Sequence, residues 1–381
     1  MQIGLQTIQN PMEQIHYYYW YSALVGIPYH KRAQLLSCYG SLSNLFSEKD
    51  IPWECFPDFH EEEIRAFSKS RNEDAIIRDF EMLKNASITF IPLYDSAYSS
   101  LLKQIYDPPF GLFCIGNTAL LNRWCVAVIG SRRCSPYGIN CAESIAEYLS
   151  GQGVVVVSGM ARGIDSCAHR GALQTADNSS IAVLAGGVDI CYPRQNIELY
   201  HNLAGRGLII SEMPPHTPPL PYYFPIRNRI ISGLCHSIVV VEAELKSGTK
   251  ITADCALEQG RDVYAVPGRI YDSSSFGCNQ LLQQGATPLL HPEEILKNAS
   301  FSPDFSVNRK DFSKKTLEKD EILLYSCVDC EPVHMDELAR RTGLNRGTLA
   351  LLLEKLEWKG YIEQPLKNYY MKRIDFNKET F

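Results

Sequence analysis

After residue 86 the chain alternates two kinds of segment. Short continuous apolar runs end in glycine, proline or an acidic residue, and longer amphipathic windows separate them. The runs are "WCVAVIG", "GVVVVSG", "SIAVLAGG", "GLIISEM", "HSIVVVEA" and "DVYAVPG". A run without polar alternation predicts a strand buried on both faces. Helical windows between such runs, near residues 136–151 and from about Ile164, predict right-handed crossovers and a parallel sheet. Upstream, "ASITFIPLYD" and the apolar run after the Pro-Pro turn of "YDPPFGLFCIGN" add strand-like segments.

The pattern differs at both ends. Residues 1–85 read as helical, and "SALVGIPYHKRAQLLSCYGSLSNLF" places a glycine turn between two apolar-periodic segments. That is the rhythm of a SAM-like or helix-hairpin-helix unit, and equally of a plain helical hairpin. The aromatic run from Tyr17 to Tyr21 is expected to pack against a neighbour rather than stack on bases. Residues 298–317 are polar, rich in Ser and Lys, and aperiodic, and read as a linker. Residues 318–381 carry a helix-turn-helix rhythm followed by a wing. The expected fold is therefore an extended Rossmann-like α/β domain with a mainly parallel sheet over residues 86–297, between a small helical domain and a winged helix.

Composition narrows the class. The 381 residues are 45% apolar, enough for a sizeable core, and the net charge is −6. A bulk acidic balance does not advertise a nucleic-acid binder, yet it permits a local basic groove. Residues 126–270 carry 12 Lys and Arg against 12 Asp and Glu, the least acidic third of the chain. The first residues lack the basic and apolar regions of a signal peptide. No run of about 18 apolar residues predicts a membrane span. Thirteen cysteines in a chain without secretion signals read as reduced thiols, so the expected compartment is the cytoplasm.

In a doubly wound sheet, ligands bind beyond the carboxyl ends of the strands, so the residues after each run are the candidates. They are Ser131, Arg132 and Arg133, then Ser158 to Gly163, then Val188-Asp189, then the loop from Pro214 to Arg229, and finally Lys246 to Lys250. Glycines let backbone N–H groups approach an anion, and helix N-termini add partial positive charge. Gly159 and Gly163 bracket such a turn and helix start. Ser131, Ser158, Ser247 and Thr249 can donate to phosphate oxygens. Arg132, Arg133, Arg162, Arg227, Arg229, Lys246 and Lys250 supply full charge. For any one of these cations structural pairing weighs as much as phosphate contact, and the cluster carries the argument. Several phosphate-sized sites along one edge suit a polyanion better than a single nucleotide. Arg170 and Arg261 read as helix-surface residues. Of Tyr222, Tyr223 and Phe224, two are expected to fill space under the loop and Phe224 to stack a base.

Catalysis and metal binding find less support. Asp165, His169, Glu212 and Glu242 fall near the same edge, where a carboxylate and a histidine could do acid–base work. However, Asp165 also suits a helix first turn, with His169 one turn on as its partner. No P-loop, GxSxG or GxGxxG signature occurs. Cys327 and Cys330 form a single CxxC, and Cys167 with His169 gives no tetrahedral set. No metal or cofactor is expected.

"VIGSRR", "VSGMARGIDSCAHRGAL", "VLAGGVDICYP", "SEMPP", "FPIRNRIISGL", "VVVEAELKSGTKITADCALEQGRDVYAVPG" and "FGCNQLLQQGA" stand in this order. Together with "YDPPFGLFCIGN" they closely resemble the DNA-processing protein A (DprA, or Smf) family over about residues 86–290. The resemblance implies a non-enzymatic, homodimeric protein that binds single-stranded DNA. It also implies protection of DNA in natural transformation and loading of the RecA recombinase. Carried over motif by motif, the DNA pocket comprises Gly130, Ser131 and Arg132; Gly159 and Arg162; Phe224, Asn228 and Arg229; and Ser247, Gly248, Thr249 and Lys250.

The winged-helix segment 318–373 holds 9 Lys and Arg against 10 Asp and Glu, whereas duplex readers present a basic face. It is therefore expected to contact protein or to regulate. Two other functions stay open: a nucleotide-processing enzyme like the lysine-decarboxylase-like phosphoribohydrolases, and a transcriptional regulator using the winged helix.

Overall fold

The valine-rich runs become the centre of a nine-stranded sheet. The computed structural model describes residues 12–175, 179–245, 247–298 and 317–373. Lys246 and residues 299–316 of the expected linker lie outside the described residues. Strands β1 (Thr89–Pro92), β2 (Gly111–Gly116), β3 (Cys125–Ile129), β4 (Val155–Ser158), β5 (Ser180–Val183), β6 (Leu208–Ser211), β7 (Ser237–Val240), β8 (Asp262–Ala265) and β9 (Thr287–Pro288) pair in the order β1-β2-β6-β5-β4-β3-β7-β8-β9. From β6 to β9 every pairing is parallel. The antiparallel β1 and β2 extend the β6 edge.

Alternate residues of each central strand enter different cores, which is why the runs show no polar period. Ala127, Val157, Ile181 and Val240 join one core. Val126, Val128, Val156 and Val239 join the other. Six helices run between or after the strands: α6 (Pro136–Gly151), α7 (Ile164–Thr175), α8 (Ile197–Arg206), α9 (Tyr223–Gly233), α10 (Gly248–Glu258) and α11 (Phe276–Gln283), with a short α12 (Glu293–Asn298) following β9. Residues of α9, α10 and α11 pack on the first face and those of α6 and α7 on the second. Helix α6 starts where Ser135, followed by Pro136, accepts the Gly138 N–H at 3.1 Å, a cap plus a preset first-turn φ.

Ahead of the sheet stand α1 (Gln14–Ser22), α2 (Tyr29–Tyr39), α3 (Leu42–Ser47), α4 (Glu61–Ser70) and α5 (Glu73–Asn85). They share one core with Phe90, Phe113 and Ile209 of the sheet. Trp20 and Tyr21 are buried there. Edge-to-face contacts with Phe46, Phe67 and Phe110 hold the rings, the favoured aromatic arrangement.

The winged helix comprises α13 (Lys319–Cys327), β10 (Val333–His334), α14 (Met335–Thr342), α15 (Arg346–Trp358), β11 (Ile362–Leu366) and β12 (Tyr369–Lys372), with its own apolar core. It docks on α6. Asn140 Nδ2 donates to Glu363 Oε1 at 3.1 Å and to the Lys372 carbonyl at 3.0 Å, and Arg373 meets Glu147 at 3.1 Å. Among the described residues no helix is long and apolar enough to cross a membrane.

Candidate nucleic-acid interface

The chain leaves β3 toward β4 on one side and later returns to β7 on the other, so the sheet reverses its winding between β3 and β7. The loops after these two strands diverge there and leave a crevice. A cavity of about 430 Å³ occupies it. The α9 side chains of Phe224, Arg227 and Asn228 close its third wall.

The loop after β3 is held rigidly from below. The Ser131 N–H donates to the Glu242 carbonyl at 2.8 Å and the Ile164 N–H to the Ser131 carbonyl at 3.1 Å. Ser131 Oγ donates to the Arg133 carbonyl at 2.8 Å and accepts the Arg133 N–H at 3.1 Å. The turn so closed leaves the Arg132 and Arg133 side chains exposed. Gly163 makes the loop contact possible. Its φ is +73°, and a side chain there would strike the carbonyls of Ser131 and Arg132.

The loop after β7 leads into the N-terminus of α10. Ser247 caps α10, yet its side chain makes no cap bond, and its Oγ is buried without a partner. The Lys250 N–H closes onto the Ser247 carbonyl at 3.2 Å, and the Gly248 and Thr249 amides precede the first i→i−4 acceptor of the helix. A hydroxyl without a partner beside first-turn N–H groups suits a phosphate oxygen. Asn228 Nδ2 braces this turn by donating to the Gly248 carbonyl at 3.4 Å.

Phe224 forms the cavity's ring. The Arg132 guanidinium lies 5.3 Å from its centroid and that of Arg227 6.0 Å away, both within cation–π range. Arg227 itself is a buried structural cation. Its Nη1 donates to the Gly159 carbonyl at 2.7 Å and also to the Val183 carbonyl. Burial depresses its guanidinium to about 10, with Asp165 opposing and Arg132 adding to the fall. Gly159 is glycine because the Arg227 guanidinium fills the space where a side chain would go.

The candidate residues thus divide. Gly130, Ser131, Arg132, Arg133, Phe224, Arg227, Asn228, Ser247, Gly248 and Thr249 line the cavity. Gly159 and Gly163 support it from behind. Arg162, on the connection after β4, and Lys250, in the first turn of α10, lie outside the lining, Arg162 exposed and Lys250 half-buried. Arg229 points elsewhere. On α9 it lies on the far side from Phe224, Arg227 and Asn228, where it pairs with Glu212 at 2.7 Å and Asp107 at 2.8 Å.

Other expectations also change. Ser158 is buried and donates to the Val128 carbonyl at 2.7 Å, out of reach of any phosphate. His169 meets Ser180 at 2.7 Å rather than Asp165. Arg261, in the turn between α10 and β8, reaches the Leu101 and Gly233 carbonyls. Tyr223 is buried, but Tyr222 is 58% exposed, its ring tilted against that of Tyr223 with centroids 4.3 Å apart. Beyond the expected candidates, the lining adds two polar residues, Glu244 and Thr252, and the apolar Ile129, Ile231 and Ile251. The helical period gives Thr252, four positions after Gly248.

The three carboxylates expected near the rim, Asp165, Glu212 and Glu242, are each engaged. Asp165 accepts the Gly159 N–H at 3.2 Å, and burial pushes its carboxyl up against the pull of Arg227. Glu242 accepts the Ser135 N–H at 2.9 Å and its hydroxyl at 2.5 Å. Among the described residues no three His, Cys, Asp or Glu side chains are grouped to hold a metal.

Residues 89–300 match the family described as DNA recombination-mediator protein A. The chain belongs to this family. Residues 309–365 match the DprA winged helix domain. Protein Smf of Escherichia coli (strain K12) is 40% identical over 280 residues, 71% of this chain and 74% of that protein. The X-ray structure of DprA from Streptococcus pneumoniae superposes with a TM-score of 0.65 at 33% identity, covering 76% of this chain and 99% of that one. A DprA structure from Helicobacter pylori, described for its unique single-stranded DNA binding mode, gives 0.50 at 30% identity over 55% and 94%. The whole recombination-mediator sheet and every lining residue of the cavity fall inside the 89–300 match, whereas α1–α5 precede it.

Proposed function

We propose that this chain binds single-stranded DNA along the carboxyl rim of its sheet, gripping phosphates between the β3 loop and the N-terminus of α10. The unpartnered Ser247 hydroxyl at that N-terminus, in a cavity lined also by Arg132 and Arg133, carries the reading. Family membership and the DNA-binding Helicobacter relative support it. Backbone contacts then supply most of the affinity, with strong salt dependence and slight sequence preference.

The role is one of binding and delivery rather than catalysis. Asp165, Glu212 and Glu242 each serve hydrogen bonds or ion pairs, and His169 is buried against Ser180. A protein of this kind protects the strand in the cytoplasm and, as a homodimer, passes it to the RecA recombinase. The winged helix serves protein contact. Its α15 exposes Leu351 and Trp358 (63% and 76%) beside Glu354, an apolar and partly acidic face unsuited to a phosphate backbone. Anisotropy titrations with single- and double-stranded oligonucleotides at two salt concentrations test the reading. Preference for the single strand, lost steeply with salt, is expected. Equal affinity for both forms overturns it.

A further inference from the structure

A second cavity, of about 330 Å³, lies across α9 from the first, between the N-terminal helices and the sheet. The same helix walls both, with Phe224 and Arg227 facing one cavity and Tyr223, Ile226 and Arg229 facing the other. Glu212 and Met213, just past β6, place the second cavity at the same carboxyl edge of the sheet.

Its chemistry differs from that of the phosphate cleft. Arg229 and Arg32 enter it, and Glu212 and Asp107 offset their charge. A site balanced in this way gives a phosphate no net attraction. Hydrogen-bond donors, however, are left over. Arg229 Nη1, Arg32 Nε and the Ser22 hydroxyl have no partner, and the three residues are 7%, 6% and 3% exposed. Unsatisfied donors at a cavity wall call for a neutral ligand that presents acceptors. Tyr29 is held in a stack on Phe110, with centroids 5.1 Å apart, and Tyr106 at the mouth is 94% exposed. Aromatic walls with a few donors at the back suit a planar heterocycle with carbonyl oxygens.

We propose that this cavity is a base-binding subsite for the same DNA strand, taking a thymine or guanine that has crossed the outer surface of α9. The inference rests on the single-strand reading above. Exposed Pro225 lines the first cavity, and the next residue, Ile226, 41% exposed, lines the second. The separation is about one helix diameter, roughly 10–12 Å, which a few nucleotides span. The N-terminal helices thereby become part of the DNA track, since Tyr29, Arg32 and Ser22 all belong to them.

The test uses the full chain with oligothymidylates of about four and about twelve nucleotides. Tyr106→Ala removes only an exposed ring. It is expected to weaken the longer strand at least about fivefold and leave the shorter within about twofold. A 5-iodouracil in the longer strand is expected to cross-link to Tyr29 or Tyr106. Unchanged long-strand affinity, with cross-links confined to Phe224 and its neighbours, overturns the inference. So does thymidine monophosphate competing as well as the long strand, since the cavity then serves free nucleotides. Arg132→Ala separates the two levels. It weakens both oligomers if the single-strand reading holds, and if it changes neither, that reading fails independently of Tyr106.

Discussion

Replacing Arg132 with alanine removes an exposed side chain whose guanidinium lies 5.3 Å from the Phe224 ring centroid. The stability change is expected to stay within about 0.5 kcal/mol, as for other exposed positions, so any binding loss is local. A charge-assisted hydrogen bond to a phosphate is worth about 1.5–3 kcal/mol. The loss in affinity for a single strand is therefore about 10- to 150-fold at low salt. The salt dependence carries the sharper signature. Each phosphate neutralised on a single strand contributes about 0.7 to the slope of log K against log salt concentration, so the variant's slope flattens by about that amount. Arg132→Lys keeps the charge and hence the slope, but loses the flat stacking on Phe224, worth about 0.5–1 kcal/mol. Fluorescence anisotropy over a salt series measures both quantities. An alanine variant with less than about a threefold loss and an unchanged slope would refute the phosphate role.

Ser247→Ala deletes a buried hydroxyl that has no partner. It should leave thermal stability equal or higher while weakening single-strand binding about tenfold or more, read by parallel melting and anisotropy. Gly163→Ala forces a side chain onto the Ser131 carbonyl at φ +73°. It should lower stability by about 1–3 kcal/mol in denaturant titration, with binding lost as the β3 loop moves. His169 donates from Nδ1 to Ser180, whose own hydroxyl proton goes to the Val156 carbonyl, and its buried Nε2 has no partner. Burial, with Arg227 and Arg170 adding, lowers its folded value to about 3 from 6.5. The unfolded chain therefore binds the proton first, and stability falls by up to about 1.4 kcal/mol per unit as pH drops from 6.5 toward 3. His169→Asn should flatten that fall in urea titrations at pH 7 and pH 4.5, and equal pH dependence in both proteins would count against it. Truncation near Ser300 should leave single-strand affinity within about tenfold, and a larger loss would make the winged helix a principal DNA contact.

Much of the sheet was legible because burial on both faces erases polar alternation. "CVAVI" and "VVVVS" can form little other than central parallel strands between glycine turns. The rim loops were legible for the same reason, since each run has one carboxyl end and the parallel rule puts those ends on one edge. What the sequence hid was side-chain direction within a helix. Arg227 and Arg229 are two residues apart in "FPIRNR", yet one lines the β3–β7 crevice and the other joins Glu212 and Asp107 on the far side of α9. Neighbouring cations on a helix diverge by about 100° per residue, and only the packing of α9 decides which face meets which cavity. Ser158 misled for a related reason. Its position at the end of β4 matched a phosphate donor, but its side chain turns into the sheet toward Val128. The cavity beneath Tyr106 was invisible, since Ser22, Arg32, Asp107, Glu212 and Arg229 come together only on folding.

Amide hydrogen exchange of the full chain, with and without a single-stranded oligonucleotide, tests most directly whether the β3–β7 crevice is the gripping site. The account predicts protection concentrated in residues 130–135, 223–231 and 247–252. Protection confined to residues 319–372, with the rim loops exchanging as in the free protein, would contradict it.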